Sequence, residues 1–232
     1  MKKFLAVIPV REKSSRLKNK NIKKILGHEL FLWTYQYAKE SKLINKVIIS
    51  TESQKILKIA KKYGYQEKYL RNKDLAKKNV RNIRTVLDVI KYEEKNGRIY
   101  DYIILLHATS PIRIKKKLDL NLKKFLNSDC KSAVSLSEGI KKKDNFIGLI
   151  KNNKFILQKN KFYNKKLFFY NASTYITQSS LLKKNKTFIN GKIFPIVQSH
   201  GESVDINYKR DFNLANILIK SQKYKISIPK KV

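Results

Sequence analysis

The sequence predicts an α/β fold, a mostly parallel sheet flanked by helices. Three observations carry that reading. Apolar, β-branched runs such as FLAVIP, KVIIS and YIILL alternate with segments of helical spacing through the first half of the chain. Alternating strands and helices build parallel sheets with helices on both faces. The apolar residues of these runs are consecutive rather than alternating, as in strands covered on two sides. Beyond about residue 140 the pattern changes to short aromatic-rich runs, which predicts a small antiparallel element.

Phe4–Pro9 is the first strand. The start MKKFLAVIPVREK imitates a signal peptide, but its apolar run is short and no small-residue cleavage site follows. Leu30–Lys39 (LFLWTYQYAK) is apolar on most faces and predicts a well-buried helix; Lys46–Ser50 predicts the second strand. In Gln54–Tyr63 the apolar positions Ile56, Leu57, Ile59 and Ala60 recur at helical spacing. Ser53 or Thr51 caps this helix and Gly64 stops it. Val80–Lys95 carries the stripe Ile83, Val86, Leu87 and Ile90 ahead of Gly97. Tyr102–Leu106 is the strongest central strand, Lys115–Leu126 a helix and Ser132–Leu136 a strand. FIGLI and KFILQ flank Lys151-Asn152-Asn153 as a hairpin, KLFFYNASTYIT follows, and Tyr208–Lys220 is a closing helix. With no repeat and no Pro- or Gly-rich linker, residues 1–232 read as one domain with an insertion at about 140–178.

Composition bounds the function. A hydrophobic share of 42% excludes a disordered chain, and no apolar stretch is long enough to cross a bilayer. The one cysteine, Cys130, excludes an internal disulfide and a cysteine zinc cluster, and suggests the cytoplasm. Lys plus Arg is 53 against 17 acids, a net charge of +36. An anionic partner is one explanation. The other is compositional bias: lysine, asparagine and isoleucine have A/T-rich codons, and the lysines are scattered from end to end. The dispersion, with no RNA-binding motif, argues against a basic nucleic-acid-binding protein.

In a parallel sheet ligands sit at the carboxyl ends of the strands, which selects the loops after Pro9, Ser50 and Leu106. The first loop holds Arg11, Ser14, Lys20 and Asn21. Positive side chains and a hydroxyl there suit a triphosphate, although a basic loop also arises by chance in so basic a chain. The second constellation is LLHATSPIR, with His107, Ser110 and Arg113. It reads equally as a helix start, with Ser110 as cap and Pro111 at the first turn. The third is ESVDIN, in which Asp205 and Asn207 share one face of an extended segment. Carboxylate and amide oxygens suit Mg2+; alternatively Asn207 caps the closing helix. Glycine-rich dinucleotide and P-loop motifs, HExxH and GxSxG are all absent from the sequence.

In order, these segments resemble one family, the acylneuraminate cytidylyltransferases and their nonulosonate relatives. IPVREKSSRLKNKNI resembles that family's IPARGGSKxLxxKN block, VIISTES its second strand, and YLRNKDLAKKN its LxRPxxLA block. LLHATSPIR resembles LLQPTSPxR, NASTY (171–175) resembles NGAxY, and SVDIN resembles SxDID. The resemblance covers nearly the whole chain. It implies a Rossmann-like nucleotide-diphospho-sugar transferase fold with a small antiparallel dimerisation insertion, and a homodimer. It implies a reaction of CTP with an acidic keto-sugar to give a CMP-sugar and pyrophosphate, with Mg2+, for surface glycan synthesis. By motif position, Arg11 and Lys20 would be catalytic and hold the triphosphate with Ser14 and Asn21. Arg71, His107 and Ser110 would complete the nucleotide site. His107, Asn171 and Phe188, the last from the other subunit, would meet the sugar. Asp205 and Asn207 would hold the metal.

The departures from that pattern are local. Glu12-Lys13 replaces Gly-Gly, where glycines let backbone N–H groups approach a phosphate. A carboxylate there would repel the triphosphate. Ser15 replaces a lysine, and SSRL is similar to the STRL of 3-deoxy-manno-octulosonate enzymes. His107 replaces Gln, Asn207 replaces the second metal aspartate, and the Arg-Gln-x-x-Pro stretch is missing from 160–169. These changes keep open a divergent member that uses another nucleotide or sugar, or has lost catalysis.

Overall fold

The computed structural model describes residues 2–139, 147–157 and 167–232. Its main sheet contains β1 (Phe4–Pro9), β4 (Lys46–Ser50), β5 (Tyr102–Leu106), β6 (Ser132–Glu138), β7 (Ile147–Lys151), β8 (Lys154–Leu157), β9 (Phe168–Gln178) and β10 (Ile193–Gln198). The spatial order is β4-β1-β5-β9-β6-β10-β8-β7. A separate small ribbon pairs β2 (Lys24–Ile25) with β3 (His28–Glu29). The strands β4, β1 and β5 are mutually parallel, and β6 is parallel to β10. The strand β9 runs against both β5 and β6 and so joins the two halves.

Period-2 alternation in the central strands sends side chains into two cores. Phe4, Ala6 and Ile8 of β1, with Ile104 and Leu106 of β5, pack on α1 (Leu30–Lys39), α2 (Gln54–Lys61) and α4 (Lys117–Leu126). Leu5 and Val7, with Ile103 and Leu105, pack on the opposite side against α3 (Asn82–Lys95). Both faces are apolar because both are covered, which explains the uniform runs in the sequence. Helix α1 is buried from Leu30 to Ala38, and its Leu30 and Trp33 also meet Phe212, Ala215 and Ile219 of α6 (Lys209–Lys220). Ser53 caps α2 by accepting the Ile56 N–H, and Gly64 takes φ +82° just beyond the helix end.

Several expectations need correction. No helix starts at Ser110-Pro111: α4 begins at Lys117, because Ile112 is drawn into the α1–α6 core and Ile114 bridges to Ile226. The stretch 140–178 is not one appendage. The hairpin β7–β8 does sit at the sheet edge, but β9 lies at its centre. The remainder of that stretch, 140–146 and 158–166, falls outside the described residues, including most of the segment that lacks the Arg-Gln-x-x-Pro pattern. Helix α5 (Ser179–Asn185) and strand β10 were not anticipated from sequence. No helix among the described residues is long and apolar enough to span a membrane.

Candidate active site

The carboxyl ends of β1 and β5, the reversed strand β9 and the start of α6 surround a cleft of about 420 Å³. It forms where the strand order reverses beside β1, the place where open α/β sheets hold ligands. Arg11, Ser14, Lys20, Asn21, Arg71, His107, Asp205 and Asn207 all line it. Lys13, Arg16, Lys78 and Arg81 add further positive charge, and among the described residues Asp205 is the one acid in the lining. Several convergent cations around one carboxylate make a site for a polyanion.

The loop after β1 is braced by its own polar groups. Ser14 Oγ donates to Leu17 O and accepts the Lys20 N–H at 2.9 Å, so this hydroxyl fixes the loop. Asn21 Nδ2 donates to Arg11 O at 2.8 Å, while its buried Oδ1 has no hydrogen-bond partner among the described residues. Lys20 Nζ donates to Ile206 O, which ties this loop to the strand-like segment before α6. Burial pulls the Lys20 ammonium below its ordinary value; Asp205 opposes this, and Arg16 and Arg11 add to it. An anion entering here relieves that mutual repulsion.

Glu12 and Lys13 need no glycine-like backbone, since neither has positive φ. Lys13 lines the cleft and Glu12 does not, so the anticipated repulsion by the Glu12 carboxylate is not built into the site. The Glu12 N–H donates to Glu52 Oε1 at 3.0 Å, and Glu52 Oε2 accepts from Arg71 Nη2. Burial works to raise the Glu52 carboxyl, but hydrogen bonds from Arg71 and the Glu12 N–H outweigh it and hold the group below the usual range. Arg71 is buried, and its Nε has no partner among the described residues. Glu52 stands in the VIISTES block, and nothing in that block's pattern marks it as a partner of Arg71.

His107 ends β5, with its ring 6.2 Å from Tyr175 and its Nε2 3.0 Å from the Asn82 amide nitrogen. With Asn82 donating, Nε2 accepts. Burial pulls the imidazole down to about 4; Asp205 opposes this, and Arg113 and Lys20 add to it. The ring is therefore neutral at pH 7. Asn82, the first residue of α3, was missed in the sequence because nothing in its helical pattern marks it.

Asp205 accepts from Thr109 Oγ1 at one oxygen and from Asn207 Nδ2 at the other, the latter at 2.6 Å. Asn207 does not cap α6. Asp211 does so by accepting the N–H groups of Asn207 and Tyr208, which frees the Asn207 amide to face Asp205. The Asn207 amide turns its nitrogen, not its oxygen, to Asp205; the Asp205 carboxylate itself suits Mg2+, which takes one or two carboxylates and fills its shell with phosphate and water. Among the described residues no group of three or more His, Cys, Asp or Glu is placed to hold a metal alone.

Two residues expected in this subunit's cleft, Ser110 and Asn171, do not line it. Ser110 is buried, and its N–H donates to His107 O at 3.3 Å. Asn171 turns inward, its Nδ2 donating to Ser137 Oγ and Gln198 Oε1, each at 2.8 Å. A bulge is the reason: Val134 pairs with Tyr175 but Leu136 pairs with Tyr170, so Asn171–Thr174 face Ser135 alone. At the bulge Ala172 has φ +60° and lines the cleft in place of Asn171. Phe188 is half-buried within its own chain, its ring 5.5 Å from Tyr175.

A family model described as cytidylyltransferase matches residues 5–223. A CMP-N,N'-diacetyllegionaminic acid synthase of Legionella pneumophila is 29% identical over 224 residues, covering 94% of this chain and 96% of that protein. A pseudaminic acid cytidylyltransferase of Campylobacter jejuni is 29% identical over 136 residues, 59% of either chain. Among solved structures, a CMP:2-keto-3-deoxy-manno-octonic acid synthetase complexed with CTP superposes with a TM-score of 0.73. It covers 95% of this chain and 99% of its own at 13% identity, a likeness of fold.

Proposed function

The chain belongs to the cytidylyltransferase family, and on that premise we propose that it transfers CMP from CTP to an acidic keto-sugar of the nonulosonate class. The observation that carries the reading is the cleft itself. It gathers Arg11 and Lys20 of the β1 loop and Arg71 of a distant segment into one lining with the acid Asp205. The relative over nearly the full length makes a CMP-activated acid of this class.

In this reading the anomeric hydroxyl oxygen of the sugar bonds to the α-phosphorus, its proton passes to solvent, the α–β phosphoanhydride bond breaks, and the two outer phosphoryl groups leave together as pyrophosphate. Lys20 and Arg11 neutralise charge on the triphosphate and aim it, which is most of what phosphoryl transfer asks of a protein. Lys20 is preset for this by its anchor on Ile206 O. Asn21 Oδ1 and Arg71 Nε, buried and unpartnered among the described residues, are free to bond the nucleotide. His107, held neutral, offers a hydrogen-bonding edge to the acceptor. Asp205, with Asn207 beside it, would hold Mg2+, which would supply positive charge to the triphosphate. The neutral Asn207 weakens that site relative to two carboxylates and motivates a second reading, a member with altered nucleotide or acceptor choice.

The test is pyrophosphate release from CTP with N,N'-diacetyllegionaminic, pseudaminic, N-acylneuraminic and 3-deoxy-manno-octulosonic acids. Turnover of one of them with CTP and Mg2+ supports the proposal. Absence of any CTP binding by calorimetry sinks it, and preference for UTP, ATP or GTP favours the second reading. The protein acts in this reading as a cytoplasmic homodimer, which light scattering checks for the assembly.

A further inference from the structure

Arg113 carries a full positive charge into the interior with neutral oxygens as its only hydrogen-bond partners among the described residues. It is 3% exposed. Its Nε donates to Thr34 Oγ1 at 3.2 Å and its Nη1 to Thr174 Oγ1 at 3.1 Å. Its Nη2 donates to two carbonyls at 3.0 Å each, those of His107 and Ser173. The Tyr37 ring covers the guanidinium at 5.5 Å. Burial pulls this guanidinium down to about 10, partly offset by Tyr37 and Glu202. Burying a charge without a carboxylate hydrogen-bonded to it is costly. A neutral side chain of similar volume would fill the space more cheaply, so the cation is there for what its fork connects.

It connects three elements: α1 through Thr34, the end of β5 through His107, and the β9 bulge through Ser173 and Thr174. The two carbonyls held by Nη2 belong to His107, which lines the cleft, and to the neighbour of Ala172, which also lines it. The bulge has lost its ladder partners on β6, apart from the Thr174 N–H bond to Ser135 Oγ at 2.8 Å. His107 N–H bonding to Ser173 O at 3.1 Å is the one ladder-like contact between the two segments at this level. A planar fork with fixed donor angles sets their separation; a lysine ammonium, one point charge, cannot hold both carbonyls and both hydroxyls together.

We propose that Arg113 is a positioning residue that locks the His107 ring and the Ala172 bulge into one rigid wall, the wall that receives the acceptor sugar. The second half of this statement rests on the proposed function. The triphosphate end is built from the β1 loop and the α6 approach, none of which Arg113 touches. Its loss therefore separates the two substrates.

The experiment uses the full chain with Arg113→Lys and Thr174→Val. The chain has 3 histidines, so 15N-histidine NMR resolves each ring. In both variants the His107 signals shift or split while those of His28 and His200 stay in place, and the change is smaller for Thr174→Val. In kinetics with CTP and N,N'-diacetyllegionaminic acid, Arg113→Lys raises KM for the acid roughly 10- to 100-fold and leaves the CTP Kd within about 2-fold. Wild-type His107 signals in both variants, with only a lower melting temperature, would overturn the proposal. So would an equal weakening of CTP and acid. If Arg113→Lys does not fold, Thr174→Val alone decides by the His107 signals. If the wild-type chain binds no CTP, the proposed function fails while the NMR arm still judges Arg113.

Discussion

Glu52 grips Arg71 and the β1 loop at once: Oε2 bonds Arg71 Nη2 at 2.5 Å while Oε1 accepts the Glu12 N–H at 3.0 Å. The guanidinium side is almost fully buried, and Glu52 is the acid that pairs with it. Glu52→Ala leaves that charge uncompensated and destabilises the chain by about 3 kcal/mol, the usual range for breaking a buried pair. Urea unfolding monitored by far-UV circular dichroism measures it. A loss under about 0.5 kcal/mol, the scale of a surface pair, contradicts the assignment.

Ala172 pays for its place in the cleft with a left-handed backbone, φ +60°. Such a conformation costs an L-residue roughly 1 kcal/mol relative to glycine, which the related NGA motif carries at this position. Ala172→Gly is expected to stabilise the chain by about that amount, less the entropy lost by a freer unfolded chain. Chemical denaturation of the two proteins side by side gives the answer; a destabilised glycine variant speaks against the strained bulge.

His107 has a folded value of about 4, below the ordinary imidazole range near 6.5. A lowered histidine favours the folded state where the ring is neutral. Its contribution is complete above about pH 6.5 and is lost as pH falls towards 4, because the unfolded chain takes up the proton first. His28 is lowered too, by burial, and shares the slope. His107→Gln should remove part of the stability loss between pH 6.5 and 4, read from melting temperatures across that window. An unchanged slope would mean that His107 is protonated as easily folded as unfolded.

Asn207 stands beside Asp205 where a second carboxylate would strengthen a hard-cation site. Asn207→Asp lowers the Mg2+ concentration for half-maximal turnover, on the order of tenfold, because ligand charge sets affinity. Asp205→Asn removes the metal dependence together with activity. Both effects are read by Mg2+ titration of pyrophosphate release, and by calorimetry with CTP present. An Asn207→Asp variant with unaltered Mg2+ demand places the metal elsewhere.

Much of this site is legible in the chain because its motifs occupy strand ends, and strand ends announce themselves. FLAVIP and YIILL mark where the sheet stops, so Arg11, Lys20 and His107 fall beside the cleft on pattern alone. Asp205 and Asn207, paired in an extended run before a helix, converge as their alternation implies. Helix α1 is apolar on nearly every face and proves buried on nearly every face. The central place of β9 was not legible, because its aromatic and β-branched residues suit an edge hairpin and an interior strand alike.

What the sequence by itself determined is the order of elements, the two covered faces of the sheet and the loops that supply the chemistry. What only the tertiary structure decided is which of two neighbours in each loop faces the ligand: Lys13 and not Glu12, Ala172 and not Asn171, Thr109 and not Ser110. Adjacent residues in extended chain point to opposite sides, so a bulge or a one-residue shift exchanges them. The bulge in β9 is set by long-range partners, Ser135 on β6 and Arg113 beyond β5. Local pattern has no access to contacts made across so many residues, and those contacts choose the side chains that meet the substrate.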